Sequence, residues 1–167
     1  MSPEPALALP SRSTPAALVT EIACPAPADW GLPMGLGTPL FAALRFTDHW
    51  DALHRVRHFT HTTLKRWNLP ARNADITTVV GELAANACLH ALPYHRSDAW
   101  LGLTATTTHV ICAVNDPSPQ PPQPAPDDPL AERGRGLHIV HALSTRWGYC
   151  LDADRGKIVW AHLRSAE

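Results

Sequence analysis

The chain has no excess of charge of either sign: 14 Lys and Arg stand against 15 Asp and Glu, a formal net charge of −1. That balance leaves no electrostatic footprint for nucleic acid and no polybasic contact for an anionic membrane. No apolar run approaches the length of a membrane-spanning helix. The N-terminus lacks the basic stretch and apolar core of a secretory signal. Direct nucleic-acid binding and a membrane location are therefore not expected. Cysteine is scarce, and Cys24, Cys88, Cys112 and Cys150 lie far apart with no C-x-x-C pair. A disulfide scaffold or a zinc site is not expected, and a reducing cytoplasm is. No internal repeat is present.

Proline is what the chain has in excess, 17 residues in all, eight of them before Leu40 and seven between Pro117 and Pro129. Residues 1–37 are rich in Pro, Ala and Ser and read as a disordered leader. Residues 38–167 are then long enough for one domain with a real core. Within it, the stretch from Asp116 through Pro117, Pro119, Pro121 and Pro122 must be a loop, since proline fits neither a helix interior nor a central strand. A loop of about 117–133 inside a compact domain reads as a lid.

Between these segments the pattern predicts regular elements. A strand runs from Pro39 to Thr47. Asp48 is placed to cap a helix carrying Leu53, Val56, Thr60, Leu64 and Trp67, which ends before Pro70. A second helix opens near Asn73 to Asp75 and is closed off by Pro93. Leu101, Leu103 and Ala105 alternate with more polar neighbours, as do Val110, Cys112 and Val114, giving a hairpin through Thr107, Thr108 and His109. A third helix opens at Gly134-Arg135-Gly136-Leu137 and carries Leu137, Val140, Leu143 and Trp147. Strands around Gly148 to Asp152 and Lys157 to Leu163 close the chain, with a turn at Asp154-Arg155-Gly156. The sum is an α+β two-layer sandwich, a mixed and largely antiparallel sheet with about three helices on one face.

The second helix carries the strongest chemical signal. Ile76, Val79, Val80, Leu83 and Ala87 fill one apolar arc, and Glu82 and Asn86, one turn apart, lie along its edge. An acid and an amide bordering a buried stripe need a ligand, a metal or hydrogen bonds to offset their desolvation. Asn86 offers a hard carbonyl oxygen of the kind magnesium accepts beside phosphates. Glu82 is placed to hold a water or a serine hydroxyl as general base. Gly134-x-Gly136 before a helix allows close backbone approach to phosphate at a positive helix end, although a G-x-G is more often only a turn. Asp116 at a strand end is suited to accept an exocyclic amine, or simply to cap the loop.

In order and spacing these residues resemble the GHKL ATPase superfamily, the Bergerat ATP-binding fold, and within it the short anti-sigma-factor, serine-protein-kinase-like proteins of actinobacteria. Glu82-Leu83-Ala84-Ala85-Asn86-Ala87-Cys88-Leu89-His90-Ala91 matches the E-L-x-x-N-A-x-x-H-A box. Val114-Asn115-Asp116-Pro117-Ser118 matches the V-x-D-x-S form of the adenine box, and Gly134-Arg135-Gly136-Leu137 matches the G-R-G-L phosphate box. Trp147-Gly148 and Gly156-Lys157-x-Val159-Trp160 match the closing strands. The resemblance spans residues 40–164.

It implies ATP and Mg²⁺ as ligands, Glu82 as general base, Asn86 on Mg²⁺, Asp116 with Ser118 at the adenine, and the amides of Gly134, Arg135, Gly136 and Leu137 on the phosphates. Arg133 or Arg135 would assist at the γ-phosphate or be solvated lid charge. It also implies a cytoplasmic serine/threonine protein kinase that phosphorylates a small antagonist (anti-anti-sigma) protein and in another state holds a sigma factor, usually as a homodimer. A catalytically inactive nucleotide- or partner-binding module is the alternative, and simple ATP hydrolysis would use the same residues. Three departures stand out: Asp116-Pro117-Ser118-Pro119 replaces D-x-G-x-G, the lid is short and proline-rich, and Ile158 occupies a position where related chains carry a threonine hydroxyl that can join the adenine–water network beside Asp116.

Other signals point away from chemistry. His54, His58 and His61 recur at helical spacing, but Arg55 stands where a zinc-protease helix needs Glu, and a solvated face is expected. His90 lies on the side of Glu82 and Asn86, placed for phosphate, partner or a helix-end cap. His95-Arg96-Ser97-Asp98 has no D-F-G companion, and Gly156-Lys157-Ile158 lacks the rest of a phosphate-binding P-loop.

Overall fold

Alternation of period two along five segments builds the sheet, and apolar residues at helical spacing along three others build the layer that covers it. A computed structural model describes residues 40–69, 72–106, 108–123 and 134–165. The order is β1 (Leu40–Phe46), α1 (Ala52–Arg66), α2 (Asn73–His90), a 3-10 turn (Leu92–Tyr94), β2 (Ala99–Ala105), β3 (His109–Asp116), α3 (Gly136–Leu143), β4 (Arg146–Asp152) and β5 (Gly156–Arg164). The strands lie in the order β1-β2-β3-β5-β4, and every neighbouring pair is antiparallel. The expected sandwich is present. Its sheet is wholly antiparallel among the described residues rather than mixed, because β5 returns between β3 and β4 and pairs antiparallel with both. The leader at 1–37 and the lid beyond Gln123, with Arg133, lie outside the described residues.

Register decides which residues face the helices. Leu101, Leu103, Val110, Cys112, Val114, Val159, Ala161 and Leu163 all turn toward them and are buried. From the other side α2 contributes Ile76, Val79, Val80, Leu83, Ala84 and Ala87, its apolar stripe running the length of the helix. Helix α1 adds Ala52, Val56 and Leu64, and α3 adds Leu137 and Val140. Each large side chain so buried contributes roughly 1.5–3 kcal/mol, which outweighs the weak propensity of a helix containing Gly81. That glycine has a local reason: a Cβ there would sit 3.2 Å from the Arg57 guanidinium of α1.

Three expectations fail locally. Asp48 does not cap α1; the helix begins at Ala52, and Asp51 at its N-cap makes no capping bond because His49 Nδ1 holds its carboxylate at 2.7 Å. Trp147 is not helical. The Ser144 hydroxyl donates to Val140 O at 2.6 Å and the backbone turns extended, so α3 stops at Leu143 and Trp147 enters β4 opposite Ala161. Finally, Cys88 and Cys112 are free thiols, but Cys150 is disulfide-bonded, a bridge the wide spacing of the cysteines did not predict.

Candidate nucleotide site

Helix α2 projects Glu82 and Asn86 from adjacent turns, both half-buried at the border of its apolar stripe. The start of α3 is pressed against them. A Cβ on Gly136 would lie 2.7 Å from Glu82 Oε2 and 3.7 Å from Asn86 Oδ1, so only glycine lets the chain pass here without displacing the acid. Gly134 takes a left-handed φ of 89°, which aims the loop into α3. The first amides of α3 have no partner within their own helix and carry its positive end, the arrangement that receives phosphate. Thus the residues read separately as an acid–amide pair and a glycine turn meet in space.

The other end of the site is built where β3 and β5 end together. Asp116 is only 3% exposed, and its Oδ1 accepts two bonds, from Lys157 Nζ at 2.8 Å and from Ser118 N at 2.9 Å. Ser118 is buried too, and its hydroxyl oxygen accepts a bond from Gln120 N at 3.3 Å. The β4–β5 turn clamps this corner. Gly156 has φ 84°, and a Cβ there would fall 2.2 Å from the Asp116 carbonyl oxygen. From the opposite sheet face, Asn115 Nδ2 donates to Arg155 O and Lys157 O.

Between the two ends lies a cavity of about 430 Å³, within the roughly 300–1,000 Å³ common for small-molecule sites. Leu83, Val114, Leu137 and Val159 form its apolar walls, Asp116 and Lys157 one end, and Asn86 with Gly134 the other. Ser118, His90 and Tyr94 also border it. Of the expected residues, Asn86, Asp116, Ser118, Gly134 and Leu137 line the cavity directly. Glu82, Arg135 and Gly136 stand beyond its edge, with Glu82 reaching the site through its approach to Gly136. A larger depression of about 650 Å³ between His61, Lys65 and Asn73 is unrelated. It lies some 13 residues, about 20 Å, down α2 from Asn86 and gathers no acid.

Two residues are placed differently from expectation. Ile158 does not face Asp116; paired with Asn115, it turns to the opposite sheet face and lines a groove there with Phe41 and Trp100. The residue that does face Asp116 is Lys157, which the sequence placed in a closing strand without a role at the site. Its signal was present in the alternation of β5, since a side chain one step from Ile158 must point the other way. His54 and His58 stack on one another at 6.5 Å and His61 bonds to Asn73. Among the described residues no three His, Cys, Asp or Glu side chains converge on a metal position. Asn86 does not need such a cluster, because magnesium commonly takes one or two protein oxygens and completes its shell with phosphate and water.

An antiparallel sheet backed by helices, with a cavity held between α2, α3, β3 and β5, defines an ATP-binding domain of the GHKL type. The chain belongs to the histidine kinase-like ATPase domain family, whose model matches residues 46–163. No curated protein matches it. Among the described residues no helix is long and apolar enough to cross a membrane.

Proposed function

We propose that this ATP-binding domain is a serine/threonine protein kinase of the anti-sigma-factor type, acting on a small antagonist protein with Mg-ATP. The observation that carries this reading is the approach of Gly136 to Glu82 and Asn86, which supports Glu82 acting as a general base beside amides suited to phosphate. A module that only binds nucleotide has no use for that acid. Adenine would enter between Val114, Leu137 and Val159 with its exocyclic amine on Asp116. The triphosphate would run toward Gly134, Arg135, Gly136 and Leu137. Asn86 would hold Mg²⁺, which when bound neutralises charge on the phosphates.

Glu82 would accept the proton of the serine hydroxyl as its oxygen bonds to the γ-phosphorus and the bond to the ADP oxygen breaks. Positioning and charge neutralisation supply most of the acceleration in such transfers. The antagonist protein, a sigma factor and a homodimeric state are the proposed partners. Use of ATP favours a cytoplasmic location. A second reading, nucleotide binding without turnover, draws support from the position of Glu82 outside the cavity itself. The test is intact-mass measurement of small antagonist proteins encoded beside sigma factors, incubated with the chain and Mg-ATP. One phosphoryl group on a serine is expected, absent with Glu82→Ala although that variant still binds ATP. Binding without transfer to any acceptor selects the second reading.

A further inference from the structure

The Asp116–Lys157 pair has unused hydrogen-bonding capacity that points into the cavity. Both side chains are buried, at 3% and 8% exposure, and both border the cavity. The two bonds to Asp116 converge on Oδ1, so Oδ2 is left as an open acceptor among the described residues. The Lys157 ammonium has three donors and places one on Asp116. This end of the cavity therefore presents an acceptor and a cationic donor side by side. A ligand edge that fits must present a donor next to an acceptor, as the 6-amino group and N1 of adenine do.

We propose that Lys157 is a base-reading residue that donates a direct, charge-assisted hydrogen bond to adenine N1 while Asp116 accepts from the 6-amino group. The inference rests on the nucleotide reading of the cavity and deepens it. Lys157 is held for the task from three sides: the β3–β5 ladder fixes its backbone opposite Asp116, Asn115 Nδ2 bonds its carbonyl at 3.0 Å, and Gly156 packs against the Asp116–Pro117 backbone. A site with a hydroxyl or a water in that place can donate or accept as the ligand requires. An ammonium can only donate, so this chain demands an acceptor at N1. A buried polar site rejects an analogue that leaves its donor unpaired more strongly than a flexible, wet one does.

The test pairs a residue change with a single-atom change in the ligand. Affinities of ATP and of 1-deaza-ATP, in which N1 is replaced by CH, are measured by calorimetry with Mg²⁺. The protein is the full chain, as wild type, Lys157→Met and Lys157→Arg. Wild type is expected to prefer ATP by about 10-fold or more, the worth of one hydrogen bond to a charged group. Lys157→Met is expected to bind the two ligands equally, and Lys157→Arg to restore part of the preference. Equal binding of the two ligands by wild type overturns the proposal without recourse to any variant. A preference that persists in a folded Lys157→Met also overturns it, assigning N1 to a water instead. In both cases tight ATP binding would leave the nucleotide reading standing. Failure of wild type to bind either ligand overturns both.

Discussion

The two faces of the sheet use the same five strands and differ in nearly everything else. On the helix side, alternate residues pack against α1, α2 and α3, and Asp116, Lys157 and Thr60 find hydrogen-bond partners there, whereas the buried Trp147 Nε1 has none among the described residues. On the far side stand Phe41 and Trp100, 60% and 48% exposed, and His162, buried with neither ring nitrogen hydrogen-bonded. One step along a strand crosses between these environments. Asp116 and Lys157 close the cavity; Asn115 and Ile158, their immediate neighbours, belong to the other face. Site chemistry here is thus a matter of register, and a shift by one residue would exchange the Asp116–Lys157 pair for an apolar groove.

The comparison breaks most completely at the corner that locks register. Gly156→Ala must adopt a left-handed φ and drive its Cβ into the Asp116 carbonyl, backbone that cannot rotate away. Urea denaturation should show a loss of about 3 kcal/mol or more. Lys157→Met comes next, because it strands the Asp116 carboxylate in the interior. A loss of about 3 kcal/mol is expected, largely recovered in Asp116→Asn/Lys157→Met, where no charge is left unpaired.

Gly136→Ala sharpens the contrast between structure and function on the helix face. Its Cβ meets the end of a flexible side chain, Glu82 Oε2, and not backbone. Stability should stay within about 1 kcal/mol, because the clash at this half-buried position can be relieved by moving the Glu82 carboxylate aside. The displaced acid should cut any phosphoryl transfer by roughly 10-fold or more, as loss of a positioned base does.

The far face should answer to pH. Burial first, then the neighbouring His109 and Arg146 charges, pull the His162 pKa from 6.5 down to about 4. The unfolded chain then binds a proton between pH 6.5 and 4 that the native chain refuses, so stability should fall as pH drops through that window and be unaffected above it. Solvent screening discounts the full shift to about 1–2 kcal/mol. Urea midpoints at pH 7 and pH 4.5 check the sign, and His162→Phe should flatten this part of the profile. Least of all, Phe41→Ser on the exposed end of that face should leave nucleotide affinity within the error of calorimetry.

Much of this was legible in sequence because its signals are local. The stripe of α2, the acid–amide pair on its edge, the hairpin of β2 and β3 and the glycines before α3 each declare themselves within one element. What was missed depends on pairing between distant segments. The position of β5 between β3 and β4 made the sheet antiparallel throughout the described residues, and the same pairing brought Lys157 against Asp116. Trp147 fitted the spacing of α3, but the Ser144 side chain bonded back to Val140 and ended the helix first. Asp48 had the chemistry of a cap, yet α1 starts after Asp51, whose carboxylate His49 had already engaged.

The central claim is that the cavity between α2, α3, β3 and β5 holds a magnesium nucleotide through Asn86 at one end and Asp116 at the other. Calorimetric titration of Mg-ATP into the wild-type chain and into Asn86→Ala tests it most directly. The account predicts micromolar binding by the wild type that is lost or sharply weakened in the variant. Absence of binding by the wild type, or equal binding by both, would contradict it.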